Sequence, residues 1–293
     1  MQKDVYTRHI ENEENHWWFV ARREIIYSVI KRLKKNKLSI LDFGAGSGTN
    51  IKTLTKLGSV DVYEVNPKMR SFLKNKFKKK TNVRIINKIT KKYNLILAAD
   101  VIEHIKNDKH VINNFYKFLK KNGHILVTVP AFDFLYSDKD VVLKHYRRYR
   151  KSNLQSLLSQ KFKIKKLSYF NFFLFLPISI SILILKIRKT KFIKFAETTP
   201  IYFINSILKN IFLIEKYLLK FLNFPFGISL IALAPRRRSL ASRNTRNTLN
   251  IFSSSPVSAL LLLLRISPMY VTGRQDKKSS RNHPRKYLMQ ILL

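Results

Sequence analysis

The sequence of 293 residues contains no cysteine, which excludes disulfide bridges, thiolate metal sites and a cysteine nucleophile. This fits a reducing compartment or a protein that takes no part in redox chemistry. The N-terminal stretch lacks the apolar segment that a secretory signal needs, and we expect the chain to stay in the cytoplasm. Acidic residues are also scarce: 17 stand against 57 Lys and Arg, so the formal net charge is +40.

The excess of basic residues favours partners with negative charge, namely anionic membranes, nucleic acids or phosphorylated substrates. The lysines are spread over almost every segment, which a compositional bias of the genome would also produce. The sequence has no RNP-like or zinc-finger pattern and no regular interleaving of aromatic and basic residues. Nucleic acid is therefore the less favoured partner, although the charge does not exclude it.

Short apolar strands alternate with amphipathic helices between residues 36 and 130, which is the pattern of βαβ units around a parallel sheet. A helix over residues 16–33 is expected before the first strand, and further strands are expected at 162–169 and 224–235. The predicted fold class is α/β, with a Rossmann-like, doubly wound sheet. Its first five strands are predicted at 38–43, 59–64, 82–86, 93–99 and 124–129.

A hydrophobic segment interrupts this pattern. Residues 167–185 carry no charge over 19 positions, close to the roughly 20 that a helix needs to cross a bilayer. A single crossing conflicts with the fold, because the strand expected at 224–235 has to pair in the same sheet. The returning segment, 197–222, carries charges that suit a membrane surface. We therefore favour a membrane-associating helical insertion before the last strand; the alternative is an oily helix pair packed on the domain or in a dimer.

The loop after the first predicted strand reads ILDFGAGSG over residues 40–48 and has three glycines at alternate positions. A dinucleotide fingerprint needs its third glycine at position 49, which is Thr, and the sequence has no Walker A loop. Such glycines allow a tight turn whose backbone approaches a ligand at a helix N-terminus. Asp42 ends the first strand and Glu64 ends the second, where a carboxylate can accept both hydroxyl hydrogens of a ribose.

These motifs, with YNLILAADVIEHI at 93–105, resemble the cofactor motifs of class I S-adenosylmethionine-dependent methyltransferases. HWWFVARR at 16–23, with 129–149 and 225–235, also resembles a bacterial subgroup of these enzymes of the type 11/12 kind. The sequence departs from the family at 85–93, which lacks the acid that many members carry near the adenine. The resemblance implies S-adenosyl-L-methionine as cofactor, bound by Asp42, Gly44, Ala45, Gly46, Gly48, Glu64 and Asp100.

The composition changes abruptly after Pro235, where Arg and Ser replace Lys and no pattern of helices or strands persists. We hypothesise that this tail is irregular and non-native, and that it arises from a frameshift or an error in the assigned reading frame. The predicted organisation is a lid helix at 1–34, a cofactor-binding methyltransferase core at 35–170, a hydrophobic helical insertion at 171–223, a final core strand at 224–235 and the basic tail at 236–293.

Methyl transfer from a sulfonium requires alignment of nucleophile, methyl group and sulfur, and a base when the acceptor arrives protonated. The candidates are Asp100, Glu103, His104 and His145, and we assign catalysis to His104 and His145. The motif DVIEH also resembles that of metal-assisted O-methyltransferases, in which an ion acidifies a substrate hydroxyl. Because Asp stands at position 100 instead of the longer Glu, we assign no metal. The simpler alternative is that Glu103 and His104 cap the next helix and brace the floor of the pocket.

Two further groups of residues flank the expected site. Trp17, Trp18 and Arg22 on the first helix are expected to act as a lid or to belong to the core. The basic loop residues Arg147, Arg148 and Arg150 suit a phosphorylated or carboxylated acceptor, or else form a solvated loop.

The sequence as a whole predicts methyl transfer to an O or N atom of a small-molecule or lipid-linked acceptor at the inner face of the membrane. Two alternatives stay open: an RNA methyltransferase, and a non-catalytic membrane-surface protein that retains the fold.

Overall fold

The computed structural model describes residues 10–33, 37–188 and 199–237. Within these ranges seven strands form one sheet in the order β3-β2-β1-β4-β5-β7-β6. Neighbouring strands among the first five are parallel, whereas β7 runs antiparallel to both β5 and β6. The strands are β1 (Leu38–Phe43), β2 (Gly58–Tyr63), β3 (Val83–Ile86), β4 (Tyr93–Ala99), β5 (Leu119–Pro130), β6 (Lys166–Phe170) and β7 (Ser229–Pro235).

Helices connect these strands, and two short 3-10 turns, Ile102–His104 and Asp133–Leu135, follow β4 and β5. The predicted α/β fold with a Rossmann-like sheet is confirmed. The helices are α1 (Trp17–Lys31), α2 (Ile51–Leu54), α3 (Pro67–Lys76), α4 (Asp108–Phe118), α5 (Asp138–Leu143), α6 (Lys151–Ser159), α7 (Phe175–Ile187) and α8 (Tyr202–Leu218).

The last two strands differ from the expected bounds. β6 begins at Lys166, and β7 begins at Ser229 instead of at residue 224. Pro225 has no amide hydrogen to donate to a ladder. A Cβ added at Gly227 would lie 2.5 Å from the carbonyl oxygen of Phe170, so the chain turns closely over the end of β6 before the ladder starts.

The helix α8, in the returning part of the hydrophobic segment, packs on the N-terminal helix α1. The indole of Trp18 stacks on Phe212 with ring centroids 5.4 Å apart. The Asn205 side chain accepts a hydrogen bond from the Trp17 amide (2.9 Å) and donates one to the Asn15 carbonyl (2.8 Å). Trp17 and Trp18 therefore join α1 to α8.

A buried carboxylate on α8 joins that helix to the start of α7. The amides of Asn171, Phe172 and Phe173 donate to Glu215 at 2.6, 2.7 and 3.2 Å. Burial raises the pKa of Glu215 to about 7, against the opposing effect of these hydrogen bonds. Glu215, one of the charged residues of the hydrophobic segment, thus has its partners inside the protein.

The outer faces of α7 and α8 nevertheless expose many apolar side chains. In the described part of the chain, no helix combines the length and the apolar character needed to cross a bilayer. The most exposed apolar side chains on these helices are Leu176, Ile180, Ile187, Tyr202, Phe203 and Tyr217.

Candidate active site

The glycine loop after β1 adopts a backbone that needs glycine. Gly44, Gly46 and Gly48 have φ of 73°, 57° and 86°, a region that side chains with a Cβ rarely adopt. A Cβ at Gly44 would lie 2.8 Å from Val101, and one at Gly48 would lie 2.8 Å from Leu73. At Gly46 a Cβ would meet no described atom within 4 Å. Gly46 therefore borders open space, as the cradle of a ligand requires.

The carboxylate of Glu64, just after β2, holds this loop in place. Its two oxygens accept hydrogen bonds from the amides of Gly46 and Asn66, both at 2.9 Å. Burial raises the pKa of Glu64, while these backbone hydrogen bonds oppose the rise. Each carboxylate oxygen has a second lone pair, so Glu64 can hold the loop and still accept from the ribose hydroxyls of S-adenosylmethionine.

Asp42, near the end of β1, precedes Gly44 by two residues. Its side chain is buried, and neither carboxyl oxygen has a hydrogen-bond partner among the described residues. Burial raises the pKa of Asp42 to about 7, although the cation of Arg22 lowers it. Because buried carboxyl groups almost always have partners, these free oxygens fit a site that a ligand completes. The open space at Gly46 and the orphaned Asp42 together fit the expected cofactor.

Asp100, after β4, is paired with residues from distant parts of the chain. Its φ is 55°, and its carboxylate forms an ion pair with Arg22 at 2.7 Å and accepts from the Thr128 hydroxyl at 2.8 Å. Arg22 is itself buried, although it belongs to the N-terminal helix α1. The predicted lid helix thus reaches the cofactor side of the site through this cation.

Glu103, His104 and His145 come together where the 3-10 turn after β4 meets the loop after α5. One potential ligand atom from each side chain lies within 4.8 Å of the other two. The two imidazole rings meet edge to face, with centroids 4.5 Å apart. The Tyr146 amide donates to the Glu103 carbonyl at 2.8 Å and fixes the two segments together. The structure therefore brings together the two histidines predicted to be catalytic.

Sequence reasoning missed the residue that orients His145. Asp140 contacts His145 Nδ1 at 2.7 Å and receives a two-pronged contact from Arg148, at 3.0 and 2.8 Å. Ser137 completes a capping box with the same carboxylate. Burial raises the pKa of Asp140, but the His145 and Arg148 contacts outweigh it and hold that pKa well below its ordinary value. The Ser-x-x-Asp spacing, typical of a capping box, was the signal available in the sequence.

Two of the sequence interpretations need correction. Arg148 is buried against Asp140, and Arg147 pairs with Asp108 at 2.7 Å, so neither presents a free cation to an acceptor. Arg150, the third residue of the predicted basic loop, is exposed. Glu103 and His104 do not cap the following helix, because Asn107 occupies that position and accepts from the His110 amide at 3.0 Å.

The cofactor loop and the histidine cluster are adjacent. Val101, which packs against Gly44, belongs to the same segment as Glu103 and His104.

A family model described as a methyltransferase domain matches residues 18–167, which is half of the chain. The chain belongs to this family. It is a class I S-adenosylmethionine-dependent methyltransferase, and the predicted cofactor is confirmed.

One related sequence and one solved structure place the family membership in context. A ubiquinone biosynthesis O-methyltransferase of Pelagibacter ubique is 29% identical over 132 residues, covering 41% of this chain and 54% of the relative. The chain therefore spans about half the length of that curated relative. In fold, the chain is similar to one in the complex of the Haloferax volcanii Trm112 methyltransferase activator with a methyltransferase. That likeness has a TM-score of 0.50 at 10% identity and covers 80% and 96% of the two chains.

Proposed function

We propose that this methyltransferase transfers the methyl group of S-adenosylmethionine to an oxygen or nitrogen atom of a small-molecule or lipid-linked acceptor. The observation that carries the proposal is the adjacency of the cofactor loop to the Glu103, His104 and His145 cluster. The Pelagibacter relative is named as an O-methyltransferase, and this favours oxygen as the attacking atom. The sulfonium supplies an electrophilic methyl group, so the protein has to align the acceptor and dispose of its proton.

The cofactor-binding residues would act through the loop and the strand ends around it. Glu64 would accept from the ribose hydroxyls while it holds the loop amide of Gly46. Asp42 and Asp100 lie at the ends of β1 and β4, where the carboxyl edges of parallel strands form the usual ligand crevice of such sheets. The proposed set is Asp42, Gly44, Ala45, Gly46, Gly48, Glu64 and Asp100.

His104 and His145 would activate the acceptor. Burial, reinforced by the neighbouring His145, lowers the pKa of His104 to about 4, so its ring is neutral near pH 7 and retains a nitrogen lone pair. His145 has its Nδ1 on Asp140, which leaves Nε2 for the acceptor side. Asp140 and Arg148 position this ring without touching the reacting atoms.

The test is methyl transfer from radiolabelled S-adenosylmethionine in a membrane extract. We expect label in a lipid or small-molecule fraction. Loss of either histidine in His104→Ala or His145→Ala should reduce turnover about 10²- to 10⁴-fold, with S-adenosylhomocysteine binding retained. His110→Gln, a histidine on α4 outside the cluster, is the matched control. Label confined to RNA or to protein would contradict the proposed acceptor, and a folded chain that binds no cofactor would leave only a non-catalytic role.

We also propose that α7 and α8 rest on the anionic inner surface of the membrane. Their exposed apolar side chains lie in a protein of formal net charge +40, so apolar contact and attraction to anionic lipid act together. Sedimentation with phosphatidylglycerol vesicles should exceed that with phosphatidylcholine vesicles. Ile187→Ser with Phe203→Ser should weaken it, whereas Val141→Ser, an exposed apolar residue on α5, should not. Equal sedimentation of all variants would refute the surface.

A further inference from the structure

We propose that Glu103, His104 and His145 form a binding site for one divalent transition-metal ion, of the Zn²⁺ or Mn²⁺ type, on the acceptor side of the cofactor loop. The inference revises the assignment of no metal made from the sequence. Only one part of it, the activation of the acceptor by the ion, rests on the proposed function. Two imidazole nitrogens and one carboxylate oxygen are a ligand set that such ions accept while keeping a position open for a substrate.

The state of Glu103 is the first argument for an ion. Its side chain has no solvent exposure, and both carboxylate oxygens are without a hydrogen-bond partner within residues 10–33, 37–188 and 199–237. Buried carboxylates are normally paired or bound to a metal. The nearby cation, Arg22, makes its ion pair with Asp100 instead. Glu103 therefore lacks a partner in the very place where two imidazoles converge on it.

The orientation of His145 is the second argument. Metal-binding imidazoles usually donate their other ring N–H to a carboxylate or a backbone carbonyl, which fixes the tautomer and aims the free nitrogen. His145 meets this condition with Nδ1 at 2.7 Å from Asp140. His104 supplies the second imidazole, whose ring meets that of His145 edge to face with centroids 4.5 Å apart. The Arg148 contacts to Asp140 then hold the outer partner of His145 rigid.

Binding of an ion requires the three candidate ligand atoms to move closer together. The three candidate atoms lie within 4.8 Å of one another. Ligand atoms about 2.1 Å from a shared tetrahedral ion are separated by roughly 3.4 Å, so small side-chain rotations have to draw them inward. The backbone can stay as it is, because the Tyr146 amide already joins the two segments at the Glu103 carbonyl.

Asp100 is not part of this site, although it opens the DVIEH motif. Its two oxygens are already engaged with Arg22 and Thr128. The geometry thus separates the motif into a residue on the cofactor side and a pair on the acceptor side. With an ion bound, His104 and His145 would serve as its ligands and not as bases. The ion would then lower the pKa of an acceptor hydroxyl, whose proton would leave to solvent. The O–C bond to the methyl group then forms as the C–S bond breaks.

The test uses Co²⁺ as a spectroscopic probe with the full chain stripped by chelator. We expect one equivalent of Co²⁺ to bind with a visible d–d band, and Zn²⁺ to displace it. Glu103→Gln, His104→Ala and His145→Ala should each weaken binding at least tenfold and change the band. Asp140→Asn should weaken binding by about 10- to 100-fold while all three ligands remain. His110→Gln is the matched control and should bind as the parent does.

Thermal unfolding and S-adenosylhomocysteine binding show whether each variant has kept its fold, and Asp140→Asn supplies a second test if a ligand variant does not fold. Absence of stoichiometric Co²⁺ binding would overturn the site, as would binding that persists unchanged in the His145 and Glu103 variants. Methyl transfer is measured separately. A chain that binds Co²⁺ at the cluster but transfers no methyl group contradicts the proposed function and not the metal site. Transfer that survives chelation contradicts the role of the ion alone.

Discussion

Alanine should have opposite consequences at two glycines of the same loop. Gly46 and Gly48 both have positive φ, 57° and 86°, so each substitution places a Cβ in a strained backbone. At Gly48 that Cβ would lie 2.8 Å from side-chain atoms of both Leu73 and Phe77, in the contact between the loop and α3. At Gly46 it would face open space in the described structure. We therefore expect Gly46 to serve the cofactor and Gly48 to serve the core.

The magnitudes follow from these contacts. A left-handed backbone costs a residue with a Cβ about 1–2 kcal/mol, and overpacking a core adds about 1–3 kcal/mol. We therefore expect Gly48→Ala to lower the free energy of unfolding by about 2–5 kcal/mol, a large share of the roughly 5–15 kcal/mol of a typical domain. Gly46→Ala should lower it only by the backbone contribution, about 1–2 kcal/mol.

Cofactor binding should show the reverse order. The Cβ of Gly46→Ala would occupy the space next to the loop amides, and we expect the dissociation constant of S-adenosylhomocysteine to rise at least about tenfold, or ~1.4 kcal/mol. The folded fraction of Gly48→Ala should bind more nearly as the parent does. Urea unfolding gives the stabilities, with the m-values as a check on two-state behaviour, and titration calorimetry gives the affinities.

Two results would refute this reasoning. The first is a Gly46→Ala variant as unstable as Gly48→Ala, which would mean that the space beside Gly46 is filled in solution. The second is a Gly46→Ala variant that binds S-adenosylhomocysteine with parental affinity, which would place the ligand elsewhere.

Two other sites give predictions about stability. The buried Asp61 accepts from Arg84 and Tyr93; burial raises its pKa, but these partners lower the pKa overall. Its contribution to stability is thus present above the unfolded-state pKa of about 4 and is lost as the pH falls through the lower folded-state value. In urea unfolding, Asp61→Asn should lower the free energy of unfolding by about 1–3 kcal/mol at neutral pH. That free energy should also fall less steeply than the parent's as the solution is made acidic. Trp18→Ala removes the stack on Phe212 and should cost about 2–4 kcal/mol, with faster hydrogen exchange in α8; unchanged exchange would contradict the joint between α1 and α8.

The sequence alone was enough to predict the sheet and the cofactor loop, because both are encoded locally. Buried parallel strands are short apolar runs with helices between them, and the chain repeats this pattern from β1 to β5 except between β3 and β4, where a loop takes the place of the helix. The positive φ of Gly44, Gly46 and Gly48 demands glycine in a way that can be seen in nine consecutive residues. Glu64 could be assigned because its distance along the chain matches the end of the next strand.

The partners of the site residues could not be read from the sequence, because they are separated along the chain and brought together only by packing. Arg22 on α1 pairs with Asp100 just after β4, although the two residues lie 78 positions apart in the sequence. Asp140 is close to His145 in sequence, yet only the turn at the end of α5 aims the carboxylate at the ring. The orphaned Glu103 oxygens result from burial, which the motif DVIEH does not reveal.

The hydrophobic segment shows the same division between features that the sequence predicts and features that only packing decides. A run without charges and a returning segment with charges were evident in the sequence, and they predicted an excursion that comes back to the sheet. Only the tertiary structure decided that Glu215 turns inward to bind three backbone amides and that Phe212 packs on Trp18. The periodicity of a helix defines its faces, but which face meets the protein depends on the surfaces that the rest of the chain presents to it.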